Sequence, residues 1–173
     1  MSQVFSEINK VVNVVIPASQ TSTTGDTVTS DIVNMANYKA LTFIVQTGAS
    51  AGNTPTITVY GGETSTGATT AIAYKYRTQV KAADATSASG DVPSALTDAT
   101  SAGFAMTTTK AGGAYIIEVD PSTVAAADAT DQTYDHVKLV LTNSTTVTAQ
   151  VTGVLAILSK PRYPQGILQT VID

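Results

Sequence analysis

Apolar and polar residues alternate along much of this chain, which is the pattern of β-strands buried on one face. The alternation is clear over residues 40–47, 54–61, 71–77, 114–120, 136–142 and 147–159. A short polar turn at Asn143 and Ser144 joins the last two runs, so they are predicted to form a hairpin.

The alternation also predicts which side chains face the core. Aliphatic and aromatic residues at every second position are assigned to the inner face of each strand. The return strand of the hairpin is assigned so that its odd-numbered positions, 147 to 157, point inward. The predicted core is Leu41, Phe43, Val45, Ile57, Val59, Ile117, Val119, Val137, Leu139, Leu141, Val151 and Leu155.

Four further segments carry weaker signals. Residues 11–16 are a β-branched run that is expected to stop at Pro17. Residues 31–37 place an N-cap type residue before a short apolar stretch and predict one helical turn. Residues 103–109 predict a strand. Residues 120–131 begin with Asp-Pro and continue through alanines, which predicts a short helix across one end of a sheet.

These elements predict an all-β fold, a two-sheet antiparallel β-sandwich of jelly-roll-like type with at most short helical turns. Residues 1–10 are predicted to be an N-terminal arm, 11–164 the single domain and 165–173 a C-terminal tail. Within the domain, residues 81–102 are small and polar, with no strand pattern, and predict a long mobile loop.

Charge is scarce in this sequence. Hydrophobic residues make up 43% of the chain and charged residues only 13%, about half of the ordinary 25%. The net charge of −4 and the scattered basic residues argue against a nucleic-acid binder. The densest basic group, Lys75, Arg77 and Lys81, is interpreted as a solvated or interface face rather than a phosphate site.

Cysteine is absent, so neither a disulfide framework nor a thiolate zinc site is predicted. The first ten residues include a glutamate and lack the basic-then-apolar order of a secretory signal. No apolar run approaches the roughly 20 residues that span a bilayer. We therefore expect a protein made in a cytoplasm without export and without a membrane partner.

Few residues offer catalytic or metal chemistry. His136 is the single histidine, no G-x-S-x-G elbow accompanies it, and its strand position predicts an outward-facing, inert side chain. Asp128, Asp131 and Asp135 lie close together, but the segment lacks the glycine and distal glutamate of an EF-hand loop. A solvated loop is favoured there over a structural calcium site.

Two other motifs match functional patterns, and neither is interpreted as a functional site. Glu118 and Asp120 share a strand face and could act as paired glycosidase carboxylates, but tryptophan is absent and phenylalanine rare, so sugar platforms are missing. Asn143-Ser144-Thr145 matches a glycosylation sequon and is interpreted as a tight turn. No catalytic residue, cofactor or metal ligand is predicted, and the protein is not expected to be an enzyme.

The C-terminal tail is an apolar segment that follows the last predicted strand and is not assigned to the sandwich. Ile167, Leu168, Val171 and Ile172 follow the last strand with no turn to fold them back. They either cover their own sandwich or contact a neighbouring subunit or another protein, and both alternatives stay open at this point.

The strand pattern resembles the small β-rich auxiliary head proteins of tailed bacteriophages. The resemblance lies in YKALTFIVQTG, TITVYGGETSTGATTAIAYKYR, AYIIEVD, YDHVKLVLT and VTGVLAILSKPRYP, and it covers residues 38–164. These motifs record strand order rather than chemistry, so no functional residue is transferred. The resemblance implies a decoration or cement protein that binds the major capsid protein on the outer surface of the head.

This reading predicts localisation to the virion, with assembly in the host cytoplasm. It also predicts a homo-oligomer, with a trimer favoured because capsid surfaces offer threefold positions. The alternatives are a tail, neck or head-fibre component, or a carbohydrate-binding module. Copy number per particle separates a decoration protein from a neck or tail component.

Overall fold

The computed structural model describes residues 5–48, 53–79, 92–107, 114–162 and 171–172. Within these ranges the chain forms strands and two short helices, α1 (Phe5–Ile8) and α2 (Pro121–Ala126). The strands are β1 (Asn9–Ser22), β2 (Thr27–Thr29), β3 (Ile32–Asn34), β4 (Tyr38–Thr47), β5 (Thr56–Gly62), β6 (Thr70–Ile72), β7 (Tyr74–Gln79), β8 (Thr97–Ala99), β9 (Phe104–Ala105), β10 (Ala114–Val119), β11 (His136–Thr142), β12 (Val147–Pro161) and β13 (Val171–Ile172).

The strands form two antiparallel sheets. The first sheet has six strands in the order β1-β12-β4-β10-β7-β8. The second has seven: β13-β3-β11-β5-β6 run in that order, β2 also pairs with β11, and β9 with β5. The two sheets pack face to face, which confirms the predicted all-β, two-sheet sandwich.

The core lies between the inner faces of these sheets. Ten of the twelve predicted core residues are buried, and Phe43, Val45, Ile57, Val59 and Ile117 are fully inaccessible. Their strands follow the alternation of the sequence because each has one apolar and one more polar side.

The assignment of β12 was wrong. Val151 and Leu155 are 45% and 37% exposed, while Val154, Ala156 and Leu158 are buried. Both faces of this strand carry apolar residues, so alternation alone does not choose between them. The inward positions at its start are polar, Gln150 and Thr152, which shifted the apparent pattern by one residue.

Strand β1 does not stop at Pro17. It runs to Ser22 along the edge of the first sheet, and its register against β12 shifts between Val15 and Ala18. Proline lacks a backbone N–H, and an edge strand with a bulge accommodates that loss. Because β1 already begins at Asn9, the predicted arm over residues 1–10 overlaps its first two residues.

Three other local predictions need correction. Residues 32–34 form β3 instead of a helical turn, because Val33 and Asn34 pair with Val137 and His136 of β11. The predicted strand over residues 103–109 is limited to Phe104–Ala105 within the described positions. The predicted loop over residues 81–102 contains β8, which pairs with β7, and its residues 81–91 lie outside the described ranges.

Helix α2 confirms the short helix predicted after β10. Asp120 is its N-cap, Pro121 occupies the first turn, and the buried side chain of Val124 anchors it to the core. The hydroxyl and backbone N–H of Ser122 donate to Asp120, and these bonds lower the pKa of that carboxyl. Neither described helix is long and apolar enough to cross a membrane.

Candidate functional site

The outer face of the first sheet, which faces away from the second sheet, carries apolar side chains over β1, β12 and β4. Leu155 of β12 lies opposite Asn13 of β1 on one side and Ile44 of β4 on the other. Ile44 in turn lies opposite Ile116 of β10. Side chains directly opposite on neighbouring strands lie within about 5.5 Å at Cβ, so these residues form a continuous row.

The most exposed members of this surface are Val11, Ile16, Val151 and Leu155, at 49%, 73%, 45% and 37%. We call these four residues the apolar face. Half-buried Ile44, Ile116 and Ile157 adjoin it. Contiguous exposed apolar side chains on a sheet are typical of surfaces that another molecule covers.

Strands β1 and β12 approach each other closely beside the apolar face. A Cβ placed on Gly153 would lie 2.8 Å from Cγ of Pro17, a distance that real side chains do not reach. Glycine at this position therefore lets the bulged edge of β1 lie directly on β12. Ile16, which is 73% exposed, lies within this bulged stretch between Val15 and Ala18.

The same outer face is charged over β10, β7 and β8. Lys75 forms an ion pair with Asp98 across β7 and β8. Nε of Arg77 lies 3.7 Å from Oε1 of Glu118. Two of the three cations in the predicted basic group are thus paired with acids, and the third, Lys81, lies outside the described ranges.

His136 is buried, with 8% exposure, so the predicted solvent-facing position is wrong. It occupies the outer side of β11 but is covered by Asn34 and Asp135. Ala36 N–H donates to Oδ1 of Asn34, which turns the Asn34 amide nitrogen toward Nε2 of His136 at 3.2 Å. Nδ1 lies 2.5 Å from Oδ1 of Asp135, without the geometry of a hydrogen bond. The Asn34–His136 contact ties β3 to β11, and Nδ1 is buried away from solvent.

Asp128, Asp131 and Asp135 do not converge on a common point. Asp128 accepts from the backbone N–H groups of Thr130 and Thr133, and these bonds lower its pKa to about 2. Asp135 instead contacts His136. In the part of the chain that the structure describes, no group of three or more acids or histidines is placed to hold a metal ion.

Glu118 and Asp120 are also engaged elsewhere. Glu118 pairs with Arg77, and Asp120 caps α2. Two aromatic rings of this region pack on each other: Phe104 stacks on Tyr76 with centroids 3.8 Å apart. Tyr74, which is buried, donates its hydroxyl to the carbonyl of Ile57, and burial raises its pKa well above the ordinary value.

A buried amide cluster at one end of the sandwich was not predicted from the sequence. Nδ2 of Asn53 donates to Oδ1 of Asn143 at 2.8 Å and to Oε1 of Gln150 at 2.6 Å. The backbone N–H of Ser144 donates to Oδ1 of Asn53. The predicted tight turn at residues 143–145 is therefore fixed to the segment before β5, and the polar start of β12 is buried without loss of hydrogen bonds.

The C-terminal tail is described only at its end. Val171 and Ile172 form β13, whose backbone pairs with Val33 and Ile32 of the same chain. Ile167 and Leu168 lie outside the described residues. The pairing of β13 agrees with the alternative in which the tail covers its own sandwich, and contacts of the tail with a neighbour stay a prediction.

Comparisons with known proteins identify no family for this chain. No protein-family model matches the sequence, and no curated protein matches it. Solved structures of infectious bursal disease virus match in part: that of the Gx strain at 12% identity and TM-score 0.26, covering 87% of this chain and 39% of that one. The virus-derived T=1 particle matches at 13% identity and TM-score 0.30, covering 88% of this chain and 40% of the other. The VP2 subviral particle has the same identity and TM-score, with 88% and 42% covered.

This chain spans about two fifths of the length of those solved chains.

Proposed function

We propose that this protein is a virion structural protein that decorates the outer surface of a bacteriophage head and stabilises the shell. The observation that carries the proposal is the apolar face, where Val11, Ile16, Val151 and Leu155 are exposed on a regular sheet. A sheet face of this kind is stable in a particle when another protein covers it. In this proposal, the covering protein is the major capsid protein.

The composition of the chain is compatible with that role. Only 13% of its residues are charged, so a large contact can form without removing many charges from water. A repeated capsid surface holds many sites close together, and modest affinity at each site then suffices for stable decoration. The role requires no catalysis or cofactor, and we propose neither.

We further propose that the protein acts as a homo-oligomer, with a trimer favoured on the threefold positions of a shell. Ile167, Leu168, Val171 and Ile172 stay candidate contacts with a neighbour or the capsid. Since Val171 and Ile172 already extend the chain's own second sheet, a neighbour would meet this sheet at its β13 edge. Assembly in the host cytoplasm and residence on the capsid surface belong to the same proposal.

Sedimentation of the purified protein with empty heads, combined with quantitative mass spectrometry of purified particles, tests the proposal. Decoration predicts co-sedimentation and a copy number that matches the repeated surface positions of the shell. A copy number as low as that of a single vertex or of the tail would support a neck or tail component instead. Absence of the protein from particles would overturn any virion role.

A further inference from the structure

Three described cations that form no ion pair lie at one corner of the sandwich. Among the basic residues that the structure describes, Lys75 and Arg77 pair with acids, and Lys138 lies over the ring of Tyr60. The side chains of Lys39, Lys160 and Arg162 form no ion pair within the described ranges. We call these three residues the basic corner.

The backbone brings the basic corner together. Ala40 pairs with Ser159 and Tyr38 pairs with Pro161, which places Lys39 opposite Lys160 on the neighbouring strand. The N–H of Arg162 donates to the carbonyl of Asn37 and continues the same ladder. Like charges directly opposite on antiparallel strands are destabilising, so the fold itself gains nothing from this arrangement.

Lys160 carries a second local cost. Its φ of 55° lies in the left-handed region, which is unfavourable for a lysine and is usual for glycine or asparagine. Proteins tolerate a strained backbone and a like-charge pair at one position mainly where a function needs them.

The basic corner borders a depression. Lys39 and Arg162 line a cavity of about 480 Å³ together with Asp120 and Pro121. Lys39 and Lys160 also line a larger open groove of about 730 Å³ that continues past Lys75 and Asp98. Asp120 is the one acid shared by both, and Ser122 already binds its carboxylate. The larger groove also includes Asp98 and Glu118, but both of these acids pair with cations outside the basic corner, Lys75 and Arg77.

We propose that the basic corner binds carboxylates of an acidic segment from another protein chain. Arg162 offers a planar fork for a carboxylate, and the two lysines supply point charges beside it. Further along the groove, Lys75 pairs with Asp98 and Glu118 pairs with Arg77, so unpaired positive charge is confined to the basic corner and suits a short acidic segment better than a long polyanion. The net charge of −4 also disfavours nucleic acid.

This inference goes beyond the proposed decoration role, because the basic corner does not include the apolar face. Its test uses the full chain, with amide NMR shifts recorded during titration with an acetylated hexaglutamate peptide. Saturable shifts are expected at residues 38–40 and 159–162, and they should weaken as salt is added. Replacement of all three residues (Lys39→Gln, Lys160→Gln, Arg162→Gln) should reduce the affinity about tenfold, the loss expected for three exposed charge pairs.

Lys138→Gln is the matched control, since it removes one positive charge on the second sheet and should leave the affinity unchanged. Inorganic phosphate and an oligo-dT strand serve as competing probes. Tighter binding of either one at residues 38–40 and 159–162 would overturn the carboxylate partner, and so would shifts spread evenly over the surface.

A single substitution separates a binding role from a structural one. Lys160→Asn keeps a residue that tolerates positive φ and removes the like charge opposite Lys39. The variant should bind hexaglutamate several-fold more weakly while its Tm stays equal or rises. A fall in Tm with unchanged binding would show that Lys160 serves the fold, and the proposal would be wrong.

Discussion

The two halves of the outer face of the first sheet differ although they belong to one continuous ladder of strands. Over β10, β7 and β8 the side chains are charged, and Lys75 and Arg77 each meet an acid of the same chain. Over β1 and β12 they are mainly apolar, and Val151 and Leu155 face outward. The side chains of the charged half pair with one another in water, whereas the apolar side chains would be removed from water only by a partner that covers them.

One cross-strand row crosses the boundary between the halves. Leu155, Ile44, Ile116 and Arg77 lie opposite one another on β12, β4, β10 and β7. Surface chemistry thus changes across the sheet within a few strands, while the inner side of the same strands is mostly apolar. The inner side determines whether the chain folds, and the outer side determines what it contacts.

The largest effect is expected on the inner side of β12. Leu158→Ala should lower the free energy of unfolding by about 2–5 kcal/mol, because a fully buried side chain leaves a cavity. Leu155→Ala, on the outer side of the same strand, should cost less than about 1 kcal/mol. Urea unfolding of both variants measures the difference. Equal losses would mean that the apolar half belongs to the folding core, and the comparison would fail.

Binding to heads should depend on the outer side of β12 and not on its inner side. The pair Val151→Asp and Leu155→Asp should weaken sedimentation with empty heads by roughly 100-fold, or about 2–3 kcal/mol, because charges would be buried in the contact. The matched control on the charged half is the pair Lys75→Gln and Asp98→Asn, which should bind like the parent protein. If the control variant alone lost binding, the charged half would be the contact surface.

The smallest effect concerns the ion pairs of the charged half. A double-mutant cycle with Arg77→Gln and Glu118→Gln should give a coupling energy of about 0.2–1 kcal/mol that declines with added salt, since both side chains are partly exposed. The Lys75–Asp98 pair is more exposed and should couple more weakly still. A coupling well above this range would show that the charged half is structural.

Several elements could be predicted from local sequence because local sequence determines them. Phe43 and Val45 alternate with more polar neighbours, and period two then fixes which side of β4 is inside. The Asp-Pro start of α2 is likewise a local signal, since the cap and the first turn involve adjacent residues.

The functional surfaces depend on contacts between residues that lie far apart in the sequence. Gln150 is buried because Asn53, 97 residues away, donates to its side chain, and this fixes the inner side of β12 and exposes Leu155. Residues 31–37 carry a helix-start signal, yet β11 offers Val33 and Asn34 a ladder, and sheet pairing prevails over a single turn.

The sequence by itself determined the sandwich, the inner faces of most strands and the scarcity of charge, because these depend on the order and type of neighbouring residues. The tertiary structure alone decided that Leu155 is exposed, that His136 is buried and that Lys39 lies opposite Lys160. Each of these depends on strand register between segments far apart in the chain. Register is set by the packing of the whole molecule, and residue order within one strand carries no record of it.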